Sequence, residues 1–155
     1  MRSVDWIEVI MRKHKDKVLR VACAILGNIT DAEDVFQDTF VKLFEKQPIF
    51  ESEKHEAAWL IRVAVNLSKN KLRSFWRKNT IPLLDTYPAK DDEQHELIDI
   101  VMSLPVKYKL VIHLFYFEGY SIDEIALITG QKYSTVGNQL SRARQMLKKY
   151  IEEEI

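Results

Sequence analysis

Apolar positions along this chain recur at steps of three and four residues from near the start to near the end, the period of an amphipathic helix. No segment alternates apolar and polar residues between turn signals, as a half-buried strand would, and no stretch repeats another. The pattern predicts a first helix from Val4 to Leu26, with Trp6, Ile10, Val18, Val21, Ala22 and Ile25 among its apolar positions and Gly27-Asn28 at its end. A second helix is expected to begin at Thr30 as N-cap, with Glu33 completing a capping box. There Val35, Phe36, Phe40, Leu43 and Phe44 are expected to face inward, and Asp34, Gln37, Asp38, Val41 and Glu45 outward. The stretch from Gln47 to His55 contains a proline and breaks the period. A third helix is expected from about Glu56 to Arg77, burying Leu60, Val63, Ala64 and Leu67. Residues 79–92 carry two prolines and few periodic apolar positions, and read as a linker. A fourth helix spans about Glu93 to Ser103. Pro105, well suited to a first helical position, opens a fifth that reaches Phe117 before Gly119.

The last thirty-odd residues are the most informative. Ser121 is a good N-cap, and Glu124 completes a capping box with it. Ile122, Ile125, Ala126 and Ile128 give a helical apolar pattern that stops at Thr129-Gly130, where glycine suits a left-handed C-cap. A further helix begins near Lys132 to Ser134. Its stripe of Val136, Leu140, Ala143, Leu147 and Ile151 falls within about 80° at 100° per residue. Opposite lie Ser134, Asn138, Ser141, Arg142, Gln145 and Lys149, all able to hydrogen-bond and none acidic. An apolar side for docking on its own domain and an outer side suited to base edges and phosphates are what a recognition helix requires. The segment reads as a helix-turn-helix; the competing reading is an antiparallel helix pair with a solvated face.

A second constellation lies on the third helix. Trp59, Arg62, Asn66, Lys69, Asn70, Arg73 and Arg77 share the side away from its apolar residues, within about 80–100° by the helical period. Aromatic and amide side chains among cations differ from a plain solvated face. Trp59 and Trp76 are able to stack on unpaired bases while the arginines hold phosphates. Equally open at this point is that both tryptophans belong to the core.

With 155 residues, 46% of them hydrophobic, the chain has room for one compact domain or two small ones. The lone cysteine, Cys23, sits in an apolar helical stretch and reads as a packed, reduced thiol, which fits a cytoplasmic compartment. No run of 18 apolar residues and no signal-peptide pattern occurs, so membrane insertion is not expected. His14, His55, His95 and His113 stand far apart without metal-ligand spacing, and no metal or other cofactor is expected.

Net charge is zero, but its distribution is uneven. Residues 1–80 hold 15 basic and 11 acidic side chains, residues 81–100 hold 1 and 6, and residues 101–155 hold 7 and 6. Arg62 to Lys78 and Lys132 to Lys149 each contain several cations and no acid. Two cationic helices with an acidic segment between them point to two contacts on one extended polyanion. Paired carboxylates, a nucleophile–base motif and a glycine-rich phosphate loop are all missing, so catalysis and a small-molecule substrate are not expected.

The order D-A-E-D-V-F-Q-D-T-F-V-K-L-F, W-L-I-R-V-A-V-N-L-S-K-N-K-L-R, L-P-V-K-Y-K-L-V-I-H-L-F-Y-F-E-G-Y-S-I-D-E-I-A and S-T-V-G-N-Q-L-S-R-A-R closely resembles the extracytoplasmic-function (ECF) sigma factors. These are the smallest bacterial RNA polymerase sigma subunits, with only the second and fourth conserved regions. The resemblance runs from about Trp6 to Tyr150, with four motifs in the family's order and spacing. It implies an all-α chain of two small helical domains joined by a flexible acidic linker: 1–78 for core polymerase and the −10 promoter element, 79–92 as linker, 93–155 for the −35 element. It also implies a cytoplasmic initiation subunit whose partners are core RNA polymerase, promoter DNA and an anti-sigma factor. By the same resemblance Asp34, Gln37, Asp38, Val41 and Glu45 meet the polymerase. Trp59, Arg62, Asn66, Lys69, Asn70, Arg73, Trp76 and Arg77, with the loop before them, meet melted −10 DNA. Ser134, Thr135, Asn138, Ser141, Arg142, Arg144, Gln145 and Lys149 meet the −35 element, and the linker runs through the polymerase near the path of nascent RNA.

Departures from the family pattern are specific. Asn70 stands where an aspartate is usual, and the common T-V-K-S-R-L becomes Thr135-Val136-Gly137-Asn138-Gln139-Leu140, losing two cations. The change in the recognition helix implies an altered −35 preference and weaker DNA affinity rather than loss of function. A regulator that binds duplex DNA without polymerase would need a receiver or ligand domain ahead of the helix-turn-helix, and the first 80 residues show no such pattern. A sigma-like phage or toxin-locus activator shares the architecture and departs from the motifs, as Asn70, Gly137 and Gln139 do.

Overall fold

The computed structural model describes residues 4–77 and 99–153, and the chain divides into two compact helical units, one on each side of that gap. No strand occurs among the described residues. The all-α, two-domain expectation holds; the linker over 79–92 and the start of the fourth helix lie outside the described residues.

In the first unit α1 (Val4–Leu26), α2 (Ile29–Lys46) and α3 (Glu53–Arg77) pack pairwise around one core. Ile10, Val18, Val21 and Ile25 of α1 meet Val35, Phe40 and Leu43 of α2 and Leu60, Ile61 and Ala64 of α3, all buried. Phe36 and Phe40 make an edge-to-face pair at 4.6 Å. Truncating any one of the fully buried leucines costs about 2–5 kcal/mol, so each is a large share of a marginal total.

Several local expectations need correction. Asn28, not Thr30, caps α2: its Oδ1 accepts from the Asp31 N–H at 2.8 Å and its Nδ2 donates to the Asp31 carboxylate at 2.7 Å. Gly27 takes φ +80° and Asn28 is extended, so the helix begins at once and Thr30 falls inside its first turn. Phe44 is 47% exposed rather than inward. At 100° per residue it lies about 20° from Gln37 and about 100° from Leu43, so the period itself places it at the edge of the outer face. Helix α3 starts three residues early, at Glu53, with Ser52 accepting from the His55 N–H at 3.1 Å. Its buried line is Ala57, Leu60, Ile61, Ala64, Val65, Ser68 and Leu72, while Val63 and Leu67 are only half-buried. That line is turned about 80° from the expected one. Contact with two helices at once requires a wider apolar face than contact with one.

In the second unit a helical turn over 99–103 precedes Pro105, which sits at the N-cap of α4 (Val106–Ile112) rather than inside it. A single π turn, His113–Phe117, follows where one continuous α-helix was expected. Its wide ring is closed by the Glu118 N–H to the His113 carbonyl at 3.0 Å. His113 stacks on Phe117 with centroids 5.5 Å apart, and its Nε2 lies 2.8 Å from the Glu118 carboxylate, within ion-pair reach but without hydrogen-bond alignment. Helix α5 (Ile122–Thr129) and helix α6 (Tyr133–Glu153) complete the unit. The capping box at Ser121 forms as expected, with both bonds at 3.2 Å, and Gly130 takes the left-handed C-cap at φ +68°. Of the α6 stripe, Val136, Leu140 and Ala143 are buried, Leu147 is half-buried and Ile151 is exposed.

Candidate nucleic-acid interface

Three surfaces carry the candidate residues. On α2, Asp34, Gln37, Asp38, Val41 and Glu45 are all exposed along one face, and Phe44 joins them. The face combines carboxylates with two solvent-facing apolar groups. One edge touches α3: Lys71 Nζ lies 2.9 Å from Asp34 and 3.5 Å from Asp31. Such partly exposed pairs are worth well under about 1 kcal/mol each, so Asp34 remains open to exchange partners.

The second surface is on α3. Arg62, Asn66, Asn70, Arg73, Trp76 and Arg77 are exposed, and Lys69 and Trp59 are half-buried on the same side. Arg73 Nη1 donates to Asn70 Oδ1 at 3.1 Å, so the asparagine orients the arginine without neutralising its charge as an aspartate would. Burial, and secondarily the Arg73 charge, hold the Lys69 pKa below its ordinary value. The two tryptophans behave differently. Trp76 is 64% exposed, whereas Trp59 packs edge-on against Phe50 at 5.9 Å.

Phe50 ties down the loop ahead of α3. Besides Trp59 it meets Trp6 of α1 at 6.4 Å, nearly parallel, and His55 at 5.5 Å, edge to face. The Glu51 N–H donates to His55 Nδ1 at 3.2 Å, and Gln47 enters the loop at φ 42° with its N–H bonded to the Leu43 carbonyl. Ile49, 80% exposed, stands at the loop's surface beside this fastening. Sequence patterning gave no signal for the clasp, because Trp6 and Phe50 lie 44 positions apart and meet only in the folded unit.

The third surface is the outer side of α6. Ser134, Thr135, Asn138, Ser141, Arg142, Gln145 and Lys149 are exposed there, and Arg144 is exposed on one flank. Arg144 Nε donates to the Tyr116 hydroxyl at 2.6 Å. A hydrogen bond from Arg142, with the nearby Lys107 charge, lowers the Tyr108 phenol below its ordinary value against the opposing effect of burial. Gln139, at a position where the sequence pattern implied a lost cation, is half-buried, with its Oε1 unpartnered. Gly137 lies mid-helix, and a Cβ added there meets nothing within 4 Å.

Among the described residues no three His, Cys, Asp or Glu side chains come together to hold a metal, and no helix is long and apolar enough to cross a membrane. His14 and His113, both buried, are paired with Glu56 and Glu118 instead. A basic, aromatic-bearing helix in one helical unit and a capped helix-turn-helix in the other are features of a DNA-binding protein.

Comparison with known proteins gives the family. Residues 10–78 match the model of sigma-70 region 2, and residues 94–147 match that of sigma-70 region 4. The chain is 32% identical to the RNA polymerase sigma factor SigV of Bacillus subtilis, over 87% of this chain and 84% of that one. It is 31% identical to the ECF RNA polymerase sigma factor SigE of Mycolicibacterium smegmatis, covering 95% of this chain but 62% of that longer relative. Among solved structures, the sigma factor RpoE of Bartonella quintana, in complex with the anti-sigma factor NepR, superposes with a TM-score of 0.82 at 23% identity, covering 96% of this chain and 98% of that one. CnrH in complex with the cytosolic domain of CnrY gives 0.70 at 22%, covering 96% and 89%. The chain belongs to the ECF sigma factors, the subunits with which bacterial RNA polymerase initiates transcription.

Proposed function

We propose that the chain is a non-catalytic, cytoplasmic initiation subunit whose two helical units divide promoter recognition between them. Residues 1–78 dock on core polymerase through Asp34, Gln37, Asp38, Val41 and Glu45, with Phe44 adding apolar contact. The α3 surface, Trp59 to Arg77, receives the melted −10 strand: arginines and Lys69 hold phosphates, and Trp76 offers an exposed ring for stacking. The outer side of α6 lies in the major groove at the −35 element, where Asn138 is suited to adenine and Arg142 to guanine or phosphate. Residues 79–92 span the two units.

The observation that carries this reading is the pairing of two acid-free cationic stretches, Arg62 to Arg77 of α3 and Tyr133 to Lys149 of α6, each exposed on one side of its helix, with an acidic–apolar face on a third helix. Charge of opposite sign on separate surfaces fits two kinds of partner, DNA and a basic protein helix. We also assign the chain an anti-sigma partner, in keeping with the anti-sigma factor NepR bound to the Bartonella quintana sigma factor.

The test is reconstitution. Purified chain mixed with core polymerase is expected to co-elute with it and to direct run-off transcription from a subset of genomic fragments. Co-elution without any promoter-specific transcript, or duplex binding that core polymerase does not alter, would overturn the assignment.

A further inference from the structure

An arginine of α6 is held by a tyrosine of the preceding segment. Arg144 donates through Nε to Tyr116, and its guanidinium carbon lies 5.6 Å from the ring centroids of both Phe115 and Tyr116. Those two rings meet edge to face, with centroids 5.0 Å apart at 77°, and form a corner for the guanidinium. Both belong to the π turn.

The corner differs from a structural brace in two respects. It is exposed: Tyr116 and Arg144 both face solvent, so it covers little core. It is also uncompensated, since no carboxylate pairs with Arg144 among the described residues and none occurs between Lys132 and Lys149. A guanidinium has five N–H donors. The Tyr116 bond uses the one on Nε and leaves both Nη groups, the edge that matches two oxygens of a phosphate, without a partner among the described residues. The Tyr116 bond and the two rings restrict the guanidinium, so less rotamer freedom is lost when that edge meets an anion.

We propose that Tyr116 is a positioning residue for promoter recognition: with Phe115 it holds Arg144 so that its Nη edge meets one backbone phosphate beside the −35 element. This rests on the reading of α6 as the −35 helix. Tyr116 itself touches no DNA, and it acts only through the arginine.

The experiment is a double-mutant cycle in reconstituted holoenzyme, reading promoter binding across a salt series for Tyr116→Phe, Arg144→Ala and the double variant. Tyr116→Phe keeps the ring and removes only the oxygen that accepts from Nε. Arg144→Ala is expected to weaken binding about tenfold and to lower the salt slope by about 0.9, the loss of one phosphate contact. Tyr116→Phe is expected to weaken binding about threefold in the wild-type background and not at all in the Arg144→Ala background. Arg144→Lys keeps the charge without the fork, so it should preserve the slope and abolish the dependence on Tyr116. Equal losses from Tyr116→Phe in both backgrounds, or an Arg144→Ala protein of normal affinity and slope, would overturn the proposal. A wild-type holoenzyme indifferent to a scrambled −35 element would overturn the reading of α6, and the proposal with it.

Discussion

Gly137→Ala separates the stability of the recognition helix from its contacts. Glycine at this position, within α6 and in ordinary helical conformation, costs about 0.8–1 kcal/mol relative to alanine, because the unfolded chain has more freedom to lose. An added methyl group finds open space, with no heavy atom within 4 Å, so neither packing gain nor clash changes that figure. The expected gain is therefore about 0.8–1 kcal/mol from the backbone alone. For a small helical unit this is a rise of roughly 4–8 °C in its thermal midpoint. Differential scanning calorimetry of the full chain is the assay, followed in the second unit by the amide exchange of α6. Promoter affinity and its salt dependence are expected to stay unchanged, since the methyl group carries no charge and covers no donor. A fall in midpoint would show that the helix is not regular at Gly137. Unchanged stability with weakened promoter binding would show that the glycine is there to let DNA approach the backbone.

The remaining predictions concern the other surfaces and one buried charge. Asp38→Lys/Glu45→Lys is expected to weaken pull-down of core polymerase at least tenfold with helical content intact; normal assembly would assign the wrong face. Asn66→Ala or Arg73→Ala is expected to reduce permanganate reactivity of promoter thymines with little effect on core binding, and unchanged reactivity in both would remove α3 from the melting step. Lys109, 7% exposed in α4, has its pKa pushed down by burial to about 8 from an ordinary 10.5. The unfolded chain therefore binds this proton more tightly. The penalty is full below pH 8 and is relieved as pH rises from about 8 towards 10.5. Lys109→Met is expected to raise stability at pH 7 by about 2–3 kcal/mol and to flatten that rise in denaturant midpoints between pH 7 and 10. The lowered Tyr108 phenol titrates alongside in both proteins, so the difference between them isolates the lysine. Parallel pH profiles would refute the assignment.

Helical elements and their outer faces were legible because one periodic signal encodes both. The α2 carboxylates, the α3 arginines and the α6 polar side emerged exposed where the 3.6-residue period put them, with Lys69 half-buried among them. Legibility failed where a residue answers to more than one neighbour. The α3 stripe turned because two helices pack on it, and Ile61, Val65 and Leu72 are needed to fill both contacts. Asn28 outcompeted Thr30 because Gly27 had already reversed the chain. The π turn left no composition signal: its wide ring accompanies a buried histidine and glutamate, and both look like ordinary helix residues in the sequence. For the same reason Arg144 could be named as a surface cation but not as a side chain held by Tyr116.

The clasp around Phe50 changes when the loop before α3 loses its freedom. A six-residue connection held by three rings and capped at both ends is ordered once, as the first unit folds. An incoming strand then meets a shaped surface and need not immobilise it. The ordering entropy, about 1–2 kcal/mol per residue, is thereby charged to folding instead of to association. Trp6 supplies one of those rings from the opposite end of the unit's sequence. A change at Trp6 would loosen the loop without touching the cationic helix. Its signature would be calorimetric: a larger entropic penalty and slower engagement, with the count of phosphate contacts unaltered. On the proposed reading of α3, promoter choice is thereby tied to a tryptophan in the first helix, through how much disorder is left in the loop to remove.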